Sequence, residues 1–85
     1  MANLPNDEYF RKLPQGPDGF GRRMQRLREK RRISRRVLAD FIQTSHNSVR
    51  RYERGERMPD IATASRIADY FEVSLDWLIG YEDYE

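Results

Sequence analysis

An 85-residue chain with a net charge of +2 and 38% hydrophobic residues has room for one small domain that buries about 60–65% of its unfolded surface. It holds no cysteine and one histidine, which excludes disulfides and thiolate ligands, fits a reducing interior and leaves no ligand set for a metal. No apolar run approaches the roughly 20 residues that span a bilayer, and "MANLPNDEYFRKL" lacks the apolar centre of an export signal, so the chain reads as a soluble cytoplasmic protein.

Residues 1–18 contain Pro5, Pro14, Gly16 and Pro17 and few periodic apolar positions. They read as an extended or mobile arm, with Tyr9 and Phe10 touching the domain. From residue 19 the pattern becomes helical. A first helix is predicted from Gly19 to Arg31, with Phe20, Met24, Leu27 and Arg31 along one side. Ser34 stands as an N-cap before "RRVLADFI", a second helix whose buried stripe is Val37, Leu38, Phe41 and Ile42. Ala39 is small enough to let a neighbouring helix come close.

Gln43-Thr44-Ser45 links this to a third helix, capped by Ser45, with Val49 and Tyr52 inward and Gly55 at its end. "ERMP" forms a loop. Asp60 caps a fourth helix that runs to Phe71 and turns Ala64, Ile67, Ala68 and Phe71 inward. A short fifth helix starts at Ser74, carries Leu75, Trp77, Leu78 and Ile79, and stops at Gly80 before the acidic aromatic tail "YEDYE". No strand pattern is present, so the expected class is all-α with five helices over residues 19–80.

Charge is segregated along the chain. From Arg22 to Arg36 nine basic residues face Glu29 alone, whereas from Asp69 to Glu85 six acidic residues meet no basic one. The basic cluster suits a polyanion, and the acidic end would be held away from it. A three-residue link makes helices two and three cross steeply. The third helix is thereby pushed outward with His46, Asn47, Arg50 and Arg51 on its free face. A helix about 10–12 Å across fits the B-DNA major groove, about 12 Å wide. Asn pairs there with adenine and Arg with guanine, and His46 and Asn47 stand at the helix N-terminus, where base contacts concentrate.

The stretch "ISRRVLADFIQTSHNSVRRYERGERMPDIATASRIADYFEVSLDWLIG" resembles the helix-turn-helix domain of the phage repressor/Cro type, also called the xenobiotic-response-element family. The resemblance covers Phe20 to Gly80. It is carried by Leu38-Ala39, by "S..SV..YERGERMP" from Ser45 to Pro59, and by "IADYFEVSLDWLIG" from Ile67 to Gly80, which are specific only together. It implies base contacts from His46, Asn47 and, one turn on, Arg50 or Arg51. It implies phosphate contacts from Arg35 and the start of the second helix at Ser34, from Ser48, and from Arg54 and Arg57 in the following loop. An ion pair between Arg28 and Glu53 is implied as well, tying the reading helix to the scaffold. Two positions depart from the family pattern: His46 stands where Gln is frequent and Gln43 where Gly is frequent, so base preferences do not transfer and the turn carries strain of about 1 kcal/mol.

The expected function is a sequence-specific regulator, in the sense of a repressor, that binds a palindromic operator on double-stranded DNA as a homodimer. Ile79, Tyr81 and Tyr84 are the candidates for self-association. The competing expectation is an antitoxin-like interaction module whose partner docks on the C-terminal aromatics. No cofactor is implied, and no nucleophile–base set or phosphate-cradling loop suggests an enzyme. RNA fits the charge, but stacking aromatics are missing from the basic segment.

Overall fold

The computed structural model describes residues 19–80. The expected arm, with Tyr9 and Phe10, and the tail after Gly80 lie outside the described residues. The described chain is five helices: α1 (Phe20–Lys30), α2 (Arg35–Phe41), α3 (His46–Glu53), α4 (Ile61–Phe71) and α5 (Leu75–Leu78).

The local chemistry of the boundaries is direct. Ser34 Oγ accepts the N–H of Val37 at 3.0 Å, Ser45 Oγ that of Ser48 at 3.1 Å, Asp60 Oδ1 that of Thr63 at 2.8 Å, and Ser74 Oγ that of Trp77 at 3.0 Å. Each satisfies an amide that the first helical turn leaves unpaired. The C-termini share a second device. After α1, α2, α3 and α4 one residue turns to positive φ, namely Arg32 at 58°, Gln43 at 59°, Gly55 at 74° and Glu72 at 57°. In each case the next amide reaches back to an orphan carbonyl, as Thr44 N–H does to Ala39 O at 2.9 Å and Glu56 N–H to Arg51 O at 2.9 Å. This is the ending that Gly takes most easily, and here three of the four positions carry a side chain.

The core joins Phe20 and Met24 of α1, Leu38, Ala39 and Ile42 of α2, Val49 and Tyr52 of α3, Ile67, Ala68 and Phe71 of α4, and Trp77 and Leu78. Helix α3 packs on both α1 and α2, and α5 closes against α1 and α4. Gly21 makes the α1–α3 approach possible: a Cβ there would lie 2.3 Å from the carbonyl oxygen of Tyr52 and 2.9 Å from that of Glu53.

Three sequence expectations are corrected. Val37 and Phe41, placed in the buried stripe, are 40% and 61% exposed. At 3.6 residues per turn Leu38, Ile42 and Ala39 cover an arc of about 100°, and Phe41 falls about 60° outside it. Phe41 rests instead against the ring of Tyr70, centroids 4.7 Å apart. Ile79, placed at a contact between two copies, is buried within the domain at 7% exposure.

The basic segment also does less external work than its charge suggests. Arg23 is 4% exposed, donates to Trp77 O at 2.8 Å and lies over the Trp77 ring. Arg31 donates to the carbonyls of Tyr70 and Phe71 at 3.0 and 3.2 Å, satisfying the end of α4. From outside the segment, Arg66 does the same for the end of α2, reaching Ile42 O at 3.1 Å. These guanidiniums fasten one helix end to another element, because a fork of donors suits the carbonyls a helix leaves unpaired.

Candidate nucleic-acid interface

Helix α3 alternates two surfaces within eight residues. Val49 is fully buried and Tyr52 is 3% exposed, while Ser48 and Glu53 are also buried. His46, Asn47, Arg50 and Arg51 are exposed. The inner four residues set the rotation and depth of the helix, so the outer four point where the scaffold holds them. Arg50 and Arg51, in the last turn, also complement the negative end of the helix dipole.

A shallow concavity of about 430 Å³ runs beside α3 and into the loop behind it. It is lined by Asn47, Arg50, Arg51, Arg54 and Arg57 together with Ser45 and Ser48, and Glu56 is its one carboxylate. Four guanidiniums against one carboxylate make this groove strongly electropositive, and its polar lining suits a hydrated anionic ligand rather than an apolar one.

The expected contact residues do not all stand equally ready. Ser48 is 9% exposed, and its hydroxyl accepts from Ser45 Oγ at 3.0 Å and from Arg57 Nη1 at 3.4 Å. The Arg57 guanidinium also lies 6.0 Å from the Tyr52 ring centroid, so it is steadied from beneath. Arg54 makes an exposed ion pair with Glu56 at 3.3 Å. Ser34 is committed to its cap. His46 and the pair Ser34–Arg35 lie outside the groove lining, at the beginnings of α3 and α2.

Glu53 is the hub between the two helices. Its side chain is 2% exposed and receives Arg28 through Nε at 2.5 Å and Nη2 at 3.2 Å. The ion pair expected from the sequence is therefore present and bidentate. A second partner, absent from the sequence expectations, joins it: Arg35 Nε meets Glu53 Oε1 at 2.8 Å, with its own side chain 41% exposed. Arg35 is thus held by one edge while its outer nitrogens face water, at the N-terminal end of α2 and beside the C-terminal end of α3. Asp60, behind the loop, has its carboxyl held below the usual range, first by the N–H of Thr63 and its side-chain hydroxyl and then by Arg66 and Arg57.

Among the described residues no group of His, Asp or Glu could hold a metal ion, and no helix is long and apolar enough to cross a membrane. Gly21, Arg23, Arg66 and Glu56 were missed by sequence reasoning. Arg23 had a legible sign, since it adjoins Met24 and follows Phe20 by three positions on the stripe side of α1.

Known proteins share this arrangement. The helix-turn-helix family model (HTH_3) matches residues 24–78. The transcriptional regulator ImmR of Bacillus subtilis is 29% identical over 64 residues, covering 75% of this chain and 50% of its own length. A transcriptional regulator from Listeria innocua superposes with a TM-score of 0.71 at 30% identity, over 78% of this chain and 62% of its own. The P22 c2 repressor, solved with a synthetic operator, superposes with a TM-score of 0.72 at 22% identity, over 75% of this chain and 97% of its own. This chain spans about half the length of the curated relative ImmR. With the family model matching residues 24–78 and the five-helix core folded as described, the chain belongs to the helix-turn-helix family of the phage repressor/Cro type.

Proposed function

We propose that the domain is the DNA-binding part of a transcriptional regulator, acting as a repressor, and that α3 reads base edges in the major groove of double-stranded DNA. The observation that carries this reading is the outer face of α3, where Asn47, Arg50 and Arg51 open onto a groove lined by four arginines. On this reading His46, Asn47, Arg50 and Arg51 contact bases, and Arg35, Arg54 and Arg57 grip phosphates. Ser34 and Ser48, both engaged in local hydrogen bonds, also contact phosphate in this reading, but less strongly than the arginines.

Two copies bind a palindromic operator with their reading helices about 34–36 Å apart, one turn of the duplex. The C-terminal end supplies the contact between copies, with Tyr81 and Tyr84 as its candidate residues; Ile79, buried within the domain, takes no part in it. The competing reading is a partner protein on the C-terminal aromatics, and a tight complex with such a partner would favour it.

Titration of a labelled duplex at several salt concentrations tests the reading. Four to six phosphate contacts per subunit give a log–log slope of about −4 to −5 per subunit. Affinity that does not change with salt removes the electrostatic part of the proposal, and absence of binding at low salt removes all of it.

A further inference from the structure

Glu56 is the one carboxylate in the lining of a groove that otherwise carries four arginines. In sequence it stands two places after Arg54, a spacing that in a helix points side chains to different sides. Gly55 changes this. Its φ of 74° turns the chain out of α3, and the Glu56 amide reaches back to Arg51 O at 2.9 Å. Beyond this turn the Glu56 carboxylate lies 3.3 Å from Arg54 Nε, with the two side chains 49% and 56% exposed. The acidic group is set in the groove by the same backbone turn that ends α3.

The other arginines of the groove are held differently. Arg57 donates to Ser48 Oγ at 3.4 Å and lies 6.0 Å from the Tyr52 ring centroid. Neither partner carries a charge. Arg50 and Arg51 stand on the exposed face of α3. Among the described residues Arg54 is the one groove arginine within ion-pair distance of a carboxylate. An exposed ion pair adds little to the stability of a fold. Its effect on an incoming polyanion is larger, because the carboxylate both engages a guanidinium donor and repels phosphate.

We propose that Glu56 restrains the phosphate grip of the groove. It engages Arg54 in the free protein, and that contact is exchanged for phosphate when a duplex binds. The carboxylate thereby lowers the affinity common to all sequences and leaves occupancy to the base contacts of α3. This rests on the DNA-binding reading above and adds to it a residue of opposite sign, which acts against binding rather than for it.

Salt-dependent anisotropy of a labelled mixed-sequence duplex tests this with Glu56→Gln, which keeps the shape of the side chain and removes its charge. Binding is expected to tighten about three- to tenfold at low salt, and the log–log salt slope to steepen by up to about 0.9. Asp69→Asn makes the same change in net charge at an exposed position of α4, outside the groove lining. It is expected to leave affinity and slope close to those of the parent. In an Arg54→Ala background the gain from Glu56→Gln is expected to shrink. Three results overturn the restraint while DNA binding itself stands: Glu56→Gln binding like the parent, a gain matched by Asp69→Asn, or a gain undiminished without Arg54. A parent that binds no duplex at low salt removes the reading beneath it, and the restraint falls with that reading.

Discussion

Arg28 and Glu53 face each other inside the domain as a two-pronged ion pair, with side chains 10% and 2% exposed. Removing one partner of such a pair leaves the other charged and dry. Glu53→Ala is therefore expected to cost about 3–5 kcal/mol, read as a lower urea midpoint with an unchanged slope. Arg35→Ala removes the half-exposed partner of the same carboxylate and is expected to cost about 0–1 kcal/mol. Equal losses for the two variants would contradict this division of labour.

The close approach of α1 to α3 gives a second expectation. Gly21→Ala drives a methyl against the Tyr52 carbonyl and is expected to cost about 1–3 kcal/mol through displaced backbone. Gly55→Ala meets nothing within 4 Å, but its φ of 74° strains any side chain, for a loss of about 1 kcal/mol. Thermal unfolding of both variants checks the order, Gly21→Ala being the worse.

At the turn between α2 and α3, Gln43 holds a φ of 59°. Gln43→Gly relieves a left-handed strain of about 1–2 kcal/mol against about 0.5–1 kcal/mol of added unfolded-state entropy. A net gain of a few tenths to about 1 kcal/mol in chemical denaturation is expected. A loss would mean that the Gln43 side chain contributes a contact of its own.

Much of this was legible in advance, and the reasons are local. Ser34, Ser45, Asp60 and Ser74 are caps whose chemistry acts within three residues, so the helix starts emerged from sequence. The inner face of α3 was equally plain, because Val49 and Tyr52 are the apolar residues of a polar segment. Val37 and Phe41 were misplaced because the rotation of a seven-residue helix is set by what packs on it, and an apolar residue one step off the buried arc looks the same in sequence. The fastening roles of Arg23, Arg31 and Arg66 depend on carbonyls 54, 39 and 24 residues away. No periodicity encodes those distances, and the basic segment therefore overstated its outward charge.

Acid should weaken the α4 cap. The Asp60 carboxyl is held below its usual range by the Thr63 hydrogen bonds, so its contribution is present above the unfolded-state value and lost as pH falls through the folded one. The window lies below about pH 4. Asp60→Asn keeps a capping side chain but cannot titrate, so denaturation midpoints of the variant and the parent should converge in acid and separate toward neutrality. Parallel profiles would show that Asp60 is uncoupled from stability.

Readers and grips should separate on DNA. Asn47→Ala and Arg50→Ala are expected to cost about 1–3 kcal/mol on the preferred sequence each, and little on others. Arg54→Ala and Arg35→Ala should weaken all duplexes alike and reduce the salt slope by about 0.9. Salt-dependent anisotropy with a preferred and a scrambled duplex distinguishes the two patterns.

Selection of bound duplexes from a random pool tests the central claim most directly, because it asks whether the outward face of α3 discriminates between bases. The expected product is an inverted repeat with half-sites about 10–10.5 base pairs apart, whose conserved positions relax when Asn47→Ala replaces the parent. A pool that emerges unenriched, or an enriched sequence indifferent to changes at His46, Asn47, Arg50 and Arg51, would contradict it.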